Sequence, residues 1–200
     1  MTGQVRNILV LLGIFFFCYT SRAQSFSVST NIVDWADFGT MNVEAGLPLS
    51  KHFSLHAQAR VNPWQFGLKE GDASYEDIVD IDKAGFIKKK TAIGASVRYW
   101  PWYVFSGFWV KGKVQFCAYD KGGKFLGQER RIGDAIGGGI GLGYTWMLNA
   151  NWNIEVGVTG WAGMTSEAIR ENIITPKVTD PEWKKFIQLD EVIVAFVYVF

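Results

Sequence analysis

Short segments in which apolar and polar residues alternate follow one another along most of the chain. Such alternation places successive side chains on opposite faces of a β-strand. Each segment is close to the roughly 9–11 residues that a tilted strand needs to cross a bilayer. We predict eight strands, at Ser25–Val33, Gly39–Leu47, His52–Asn62, Lys90–Trp100, Gly107–Tyr119, Asp134–Trp146, Trp152–Met164 and Leu189–Phe200.

The last strand gives the strongest indication of the fold. Its outer face carries Val192, Val194, Phe196, Tyr198 and Phe200, and the chain stops on the aromatic residue. This is typical of the closing strand of an outer-membrane β-barrel, in which Phe200, Tyr198 and Phe196 would be read by the barrel-insertion machinery. The opposite face is also apolar, which predicts a dry region inside the barrel, lined by Ile193, Ala195, Val197 and Val199.

The cost of exposing charge to lipid decides which face points outward. A Lys or Arg facing the bilayer midplane costs about 2–4 kcal/mol, and a slip of one residue would expose Arg60 in the third strand or Lys111 in the fifth. We therefore expect the polar rows to face inward and to fill the lumen with ion pairs, because an eight-stranded barrel is just filled by side chains. A solute path is the alternative. The inward charges are Glu44, Arg60, Arg98, Lys111, Lys113, Glu155 and Glu191.

The predicted connections alternate in length. Short turns at Pro48–Lys51, Pro101–Ser106 and Met147–Asn151 fall at one end of the barrel, and long connections at the other, at Gly67–Lys89, Asp120–Gly133 and Thr165–Gln188. Short periplasmic turns and longer external loops are typical of outer-membrane barrels. An aromatic girdle is expected at the short-turn end, formed by Phe26, Phe53, Tyr99, Phe108, Trp146, Trp152, Tyr198 and Phe200.

The N-terminus resembles a secretory signal peptide. Arg6 precedes the apolar run Ile8–Phe17, and Ser21 and Ala23 occupy the small positions of a cleavage site. We predict a signal peptide at 1–23 and a single barrel domain at 24–200. After cleavage 18 basic residues would face 19 acidic ones, a balance that argues against nucleic-acid binding. No later stretch has 18 uninterrupted apolar residues, although 48% of the chain is hydrophobic.

No catalytic, cofactor-binding or metal-binding residue is predicted. A glycine column at 137, 139, 141 and 143 lacks the spacing of a nucleotide-binding loop and instead leaves room for Trp109 and Trp161. His52, Ser54 and His56 include parts of a hydrolytic triad, but no oxyanion hole is evident. Lysines 88–90 are expected at the outer rim, where lipopolysaccharide phosphates would lie, and a solvated rim is the favoured interpretation. Short helical segments are predicted at Ser74–Ala84 and after Asp180–Pro181, through Trp183 and Phe186.

Four motifs together resemble those of a known family. They are Asn62-Pro63-Trp64-Gln65-Phe66, Val97-Arg98-Tyr99-Trp100, Gly141-Leu142-Gly143-Tyr144-Thr145-Trp146 and Trp152-Asn153-Ile154-Glu155. The chain is similar to a domain-of-unknown-function family of small exported Gram-negative proteins, interpreted as outer-membrane β-barrels and often encoded near fimbrial genes. The resemblance carries no functional residues with it.

These observations predict an all-β, eight-stranded antiparallel up-and-down transmembrane barrel in the outer membrane of a Gram-negative bacterium. Its predicted role is non-enzymatic: it would present external loops for interaction or support the envelope. The predicted partners are outer-membrane lipid and lipopolysaccharide, the insertion machinery, and a surface fibre or envelope protein. One alternative is a soluble lipocalin-like periplasmic carrier of a small apolar ligand, which needs Arg60 and Lys111 in water. Another is a lipid-modifying barrel enzyme that uses His56.

Overall fold

The computed structural model describes residues 26–66, 86–123, 127–170 and 182–200. The predicted signal peptide, the helix at Ser74–Ala84 and the Asp180–Pro181 cap lie outside these ranges. The elements in chain order are β1 Ser27–Asn31, α1 Ile32–Ala36, β2 Met41–Pro48, β3 Phe53–Phe66, β4 Phe86–Tyr99, β5 Gly107–Gly123, β6 Gly127–Met147, β7 Trp152–Arg170 and β8 Glu182–Val199.

The eight strands form a closed barrel in which each strand pairs with the next. All pairings are antiparallel, and β1 closes the barrel against β8 from Ser27↔Val199 to Asn31↔Ala195. This confirms the predicted all-β, eight-stranded, up-and-down architecture. In the described part of the chain the single helix is α1, a five-residue segment between β1 and β2. We call the end with the turns 49–52, 100–106 and 148–151 the short-turn end, and the opposite end the loop end.

The side chains face the directions that the alternation predicts. Outward apolar side chains are exposed on the barrel wall, for example Ile140 at 77% and Val114 at 63%. Inward polar side chains are buried, and Arg60 and Lys111 are each only 1% exposed. The barrel therefore has a hydrophobic exterior and a polar interior, the reverse of a soluble globular protein.

Several strands continue toward the loop end well beyond their predicted limits. β5 and β6 pair through Lys121↔Arg131, and β7 and β8 pair through Glu167↔Glu182. The predicted long connections at 120–133 and 165–188 are therefore wrong over most of their length, and Trp183 and Phe186 lie in β8 rather than in a helical turn. The prediction kept each strand close to the length needed to cross a bilayer, but backbone pairing continues past that length.

The first connection contains a helix that the alternation did not predict. β1 ends at Asn31, two residues before its predicted end at Val33. The Asn31 side chain caps α1 by accepting from Val33 N at 3.3 Å, and it also bonds to β8, accepting from Val194 N at 3.0 Å. Phe38 and Gly39 then turn the chain into β2 with φ values of 52° and 69°.

The short-turn end of the barrel is filled by apolar side chains. The turn between β4 and β5 folds Val104 and Phe105 into the barrel, where they pack with Trp100 and Trp109. The inward row of β8 completes this cluster with Ile193, Ala195, Val197 and Val199. The predicted dry region inside the barrel is therefore confirmed, and it closes the base of the lumen.

Aromatic side chains also surround the outside of the short-turn end. Ring pairs join neighbouring strands there, with centroids 4.7 Å apart for Phe26–Phe200 and 5.3 Å apart for Phe53–Tyr99. Trp152 and Tyr198 form a further pair at 5.0 Å. The predicted collection of aromatics at one end is confirmed as an arrangement, and its contact with a membrane interface stays a prediction.

Candidate functional site

A layer of buried charges lies above the apolar base of the barrel. It combines four cations with four carboxylates of the described chain, so its charges balance. All seven inward charges predicted from the sequence belong to it, together with Asp190, which was not predicted. The members are Glu44, Arg60, Arg98, Lys111, Lys113, Glu155, Asp190 and Glu191.

Arg98 on β4 holds the lower part of this layer together. Its Nη1 donates to Glu155 Oε2 at 2.8 Å, and its Nη2 pairs with Glu44. The guanidinium also lies 4.5 Å from the ring centroid of Trp109, so it caps the apolar cluster below. Thr145 Oγ1 donates to Glu155 Oε2 at 3.2 Å. Both terminal nitrogens of Arg98 therefore have a carboxylate partner, while its Nε has no hydrogen-bond partner in the described part of the chain. The ion pairs matter because an unpaired buried charge costs several kcal/mol.

The upper part of the layer depends on an irregularity in β8. Thr159 pairs with Glu191 and Gly160 pairs with Leu189, so Asp190 is an extra residue in a β-bulge. The bulge turns two consecutive carboxylates into the barrel. Regular alternation would have placed Asp190 on the outer wall, which is why the sequence did not predict it.

The two carboxylates share Lys113, which lies 3.9 Å from Glu191, and differ in their other partners. Asp190 accepts from Arg60 Nη2 at 3.0 Å and pairs with Lys113. Glu191 pairs with Lys111 at 3.3 Å. Amide side chains link the pairs: Gln58 Nε2 donates to Glu191 at 2.7 Å, and Gln115 Oε1 accepts from Arg60 at 2.7 Å. The expected ion-pair network that fills the lumen is therefore present.

The glycine column of β6 makes room for the large inward side chains. A Cβ on Gly143 would lie 2.4 Å from Trp109 Cζ2, and one on Gly139 would lie 3.0 Å from Trp161 Cβ. On β7 a Cβ at Gly157 would meet Trp109 at 2.9 Å. The structure confirms the spatial role predicted for these glycines.

A chain of polar side chains runs from Ser54 to Glu44 near the base. Ser54 Oγ lies 2.8 Å from Nε2 of His56, whose Nδ1 lies 2.9 Å from Oε1 of Glu44. Trp100 Nε1 donates to Ser54 Oγ at 2.8 Å. Because the Glu44 carboxylate can only accept, His56 donates to it through Nδ1, and Nε2 of the neutral imidazole is left to accept from the Ser54 hydroxyl.

This order of hydroxyl, imidazole and carboxylate is that of a hydrolytic triad, but no substrate can reach it in this structure. Ser54 is 0% exposed. The space beside His56 measures about 10 Å³, which is room for a single water molecule. His52 does not join the chain, because its Nδ1 contacts the backbone oxygen of Trp100 at 2.9 Å. The arrangement therefore connects β2, β3 and β4.

A larger cavity, of about 450 Å³, lies at the loop end above the charged layer. Its apolar wall includes Cys117, Ala135 and Trp161, which form a cluster with Ala92. Tyr119 and Phe186 pack against this cluster, and Phe186 lies 4.6 Å from Trp161 in an edge-to-face arrangement. Sequence analysis did not find this site, because it depends on β-strand extensions that were predicted as loops.

Cations surround the cavity. Lys88, Lys89, Lys90, Lys121 and Arg131 line it, together with the carboxylates of Asp37, Glu167 and Asp190. Lysines 88–90 were predicted at the outer rim, and they do lie at the loop end. Helix α1 lies beside this region and carries Asp34, whose Oδ2 has no hydrogen-bond partner in the described part of the chain. Burial raises the pKa of the Asp34 carboxyl.

The described residues contain no group of three or more His, Cys, Asp or Glu side chains placed to hold a metal ion. Within the same ranges, no helix has both the length and the apolar character needed to cross a membrane. Cys117, the one cysteine of the described chain, is a buried free thiol.

Comparison with known proteins assigns a family but no activity. Residues 8–200 match the family described as "Protein of unknown function (DUF3575)". The chain belongs to this family. No curated protein and no solved structure matches the chain. The resemblance predicted from the four motifs, to an uncharacterised family, is therefore confirmed, whereas its association with fimbrial genes stays a prediction.

Proposed function

We propose that this DUF3575 protein is a non-enzymatic outer-membrane barrel, closed to solutes, that presents its loop end for interaction outside the cell. The observation that carries the proposal is the apolar band on the barrel exterior combined with a charged interior. Exposed apolar rows of this kind would be unfavourable in water, and a bilayer would bury them.

The height of the band fits a bilayer. The outward row of β6 is apolar from Ile136 to Trp146 and becomes polar at Asp134. Ten residue steps at about 3.4 Å each, tilted by about 40°, give a height of roughly 25 Å. The strand register places polar outward residues at the corresponding level, at Ser166 on β7 and, beyond Ala118 of β5, at Thr91 on β4. The strand segments above this level would extend the barrel beyond the membrane surface.

The filled interior argues against two roles, the transport of solutes and the hydrolysis of lipids. Trp100, Phe105 and Trp109 fill the base of the lumen, and the balanced ion pairs fill its middle. A hydrolase would need access to Ser54 or His56, and both are sealed below the charged layer. Binding at the loop end is the activity that this architecture leaves open, since binding residues concentrate on connections held by a rigid scaffold.

The carrier alternative receives no support from the side-chain directions. A lipocalin-like carrier needs an apolar interior and a polar wall, with Arg60 and Lys111 in water. Here both side chains are 1% exposed and face inward, while Ile140 and Val114 are on the wall. The interior that such a carrier would use for its ligand is occupied by the charged layer.

Fractionation combined with gel electrophoresis tests the proposal. We expect the protein in the outer-membrane fraction, and we expect a compact band in unboiled samples that shifts on boiling. Purified protein in a planar bilayer should show no steady conductance, because both interior layers block the lumen. Recovery from the aqueous periplasmic fraction, or stable channels in the bilayer, would contradict the proposal.

The interaction role needs a separate test. The β5–β6 hairpin can be shortened by replacing all residues from Lys121 to Arg131 with the dipeptide Asn-Gly. Lys121 and Arg131 pair with each other across the two strands, and Asn-Gly suits a two-residue hairpin turn. We expect the shortened barrel to keep its heat-dependent gel shift and to lose cross-links to envelope or surface-fibre proteins. If its cross-links and its envelope and adhesion phenotypes match those of the full chain, this hairpin has no part in display.

A further inference from the structure

The cavity at the loop end has a lining that the proposed barrel function does not require. Its volume of about 450 Å³ lies within the range of small-molecule sites. One wall is apolar and aromatic, with Trp161 and Phe186 in contact, and the rest is polar and charged. The ion pairs that close the lumen lie below it, so the cavity is a pocket rather than part of a channel.

The charge of the cavity is unbalanced toward the cations. Of the three carboxylates that line it, Asp37 pairs with Lys88 and Glu167 with Arg131, the latter at 3.8 Å. Asp190 is held by Arg60 and Lys113 in the layer beneath. Within the described residues, Lys89, Lys90 and Lys121 have no carboxylate within ion-pair distance. Three lining ammonium groups therefore lack an ion-pair partner, and those of Lys90 and Lys121 belong to the inward rows of the paired strands β4 and β5.

A buried donor in the apolar wall is also without a partner. Trp161 is 5% exposed, and its Nε1 makes no hydrogen bond in the described chain. Buried indole N–H groups usually have an acceptor, because a buried donor that has lost its water without gaining a partner is unfavourable. An acceptor supplied by a bound molecule would remove that cost.

We propose that this cavity binds a small amphiphilic anion, with an aromatic or acyl body against Trp161 and Phe186 and a phosphate or carboxylate group between Lys90 and Lys121. The two features of the lining select the two parts of the ligand. The aromatic wall buries the apolar surface of the ligand, and the ammonium groups of Lys90 and Lys121 donate charge-assisted hydrogen bonds to its anionic group. The Trp161 N–H donates to an oxygen of the ligand.

Calorimetric titration tests this inference with 2-naphthyl phosphate as the probe. The full protein is placed in phosphatidylcholine nanodiscs, and the signal of empty nanodiscs is subtracted. We expect saturable binding of one 2-naphthyl phosphate per barrel, with inorganic phosphate and 2-naphthol each binding at least about tenfold more weakly, because each lacks one part of the ligand. Absence of saturable 2-naphthyl phosphate binding would overturn the proposal.

Variants locate the binding. K90Q combined with K121Q should weaken 2-naphthyl phosphate binding by about tenfold or more, because two charged donors are lost. Trp161→Phe keeps an aromatic ring, loses the N–H and should weaken binding by about three- to tenfold. K51Q is the matched control: Lys51 is exposed at the short-turn end, and this variant should bind as the natural chain does. Equal affinity in the double variant and in K51Q would overturn the proposed site.

Two further measurements keep the test decisive. If the double variant gives no heat-dependent gel shift, the salt dependence of the natural chain replaces it: affinity should fall as ionic strength rises, and salt-independent binding would contradict the role of the lysines. Adding phosphatidylglycerol to the nanodiscs distinguishes the source of the anion, since competition indicates a lipid headgroup and unchanged affinity a free ligand. A barrel that inserts but does not bind would overturn this inference and leave the proposed function standing.

Discussion

At the scale of single residues, the charged layer depends on which side chains face the interior and can pair there. Arg60, Arg98 and Lys111 face inward because any other register would expose charge to the apolar exterior, and this reasoning needs only the sequence. Asp190 faces inward because of a β-bulge, which shifts the alternation by one residue. No local pattern marks that bulge, so the partner of Arg60 and Lys113 could not be predicted.

The bulge carboxylate should contribute strongly to stability. Asp190→Ala leaves Arg60 and Lys113 buried without their main partner, and we expect a loss of about 3 kcal/mol in the free energy of unfolding. The loss of the folded band on unboiled gels with increasing urea concentration measures this free energy. Glu182→Ala is the control, because Glu182 is 70% exposed and should change stability by less than about 0.5 kcal/mol. Similar unfolding midpoints for the two variants would contradict the role of the charged layer.

Two glycines in different surroundings test the packing inside the barrel. Gly143→Ala would place a methyl group 2.4 Å from Trp109 Cζ2 and 2.5 Å from Val156 O, whereas a methyl group on Gly112 would have nothing within 4 Å. We expect Gly143→Ala to destabilise the barrel by about 1–3 kcal/mol through overpacking. Gly112→Ala should fold as the natural chain does, with the same urea assay as readout. A neutral Gly143→Ala would show that the interior tolerates more volume than this close packing allows.

At the scale of elements, the sequence predicted where each strand crosses the apolar band and missed what lies beyond it. Trp152, the start of β7, was placed correctly because aromatic and apolar residues mark it. The other end of β7 was predicted at Met164 and lies at Arg170, because polar residues can continue a hairpin beyond the apolar band. Helix α1 is too short to show helical periodicity, so it could not be found from the pattern.

The C-terminal strand should matter more for insertion in the cell than for stability. Phe200 is 54% exposed and stacks on Phe26 at 4.7 Å, so Phe200→Ala should cost only about 1 kcal/mol in detergent. If the insertion machinery reads Phe200, the amount of folded protein in the outer membrane should fall well below that of Phe53→Ala. Phe53 lies in the same girdle, on β3, and is 46% exposed. Equal outer-membrane levels of the two variants would argue against a recognition signal at the C-terminus.

At the scale of the whole molecule, the barrel interior has three layers from the short-turn end to the loop end. Apolar side chains seal the short-turn end, balanced ion pairs fill the middle, and the cavity lies at the loop end. Much of the first two layers follows from inward rows that the sequence shows, whereas Val104 and Phe105 come from a turn and Asp190 from the β-bulge. The third depends on how extended hairpins bring Tyr119, Trp161 and Phe186 together, which no single strand pattern contains.

The apolar exterior gives the most direct prediction about this molecule. Spin labels are attached to single cysteines at 114, 140 and 182 in a Cys117→Ala background, with the protein reconstituted in lipid. Val114 and Ile140 lie in the band, at 63% and 77% exposure. Oxygen, which dissolves in lipid, should therefore enhance the relaxation of their labels, and a water-soluble nickel reagent should have little effect on it. Glu182 begins β8 above the band, and its label should respond to nickel. Nickel access at residue 140 equal to that at residue 182 would place the apolar rows in water, and the outer-membrane proposal would then have lost its basis.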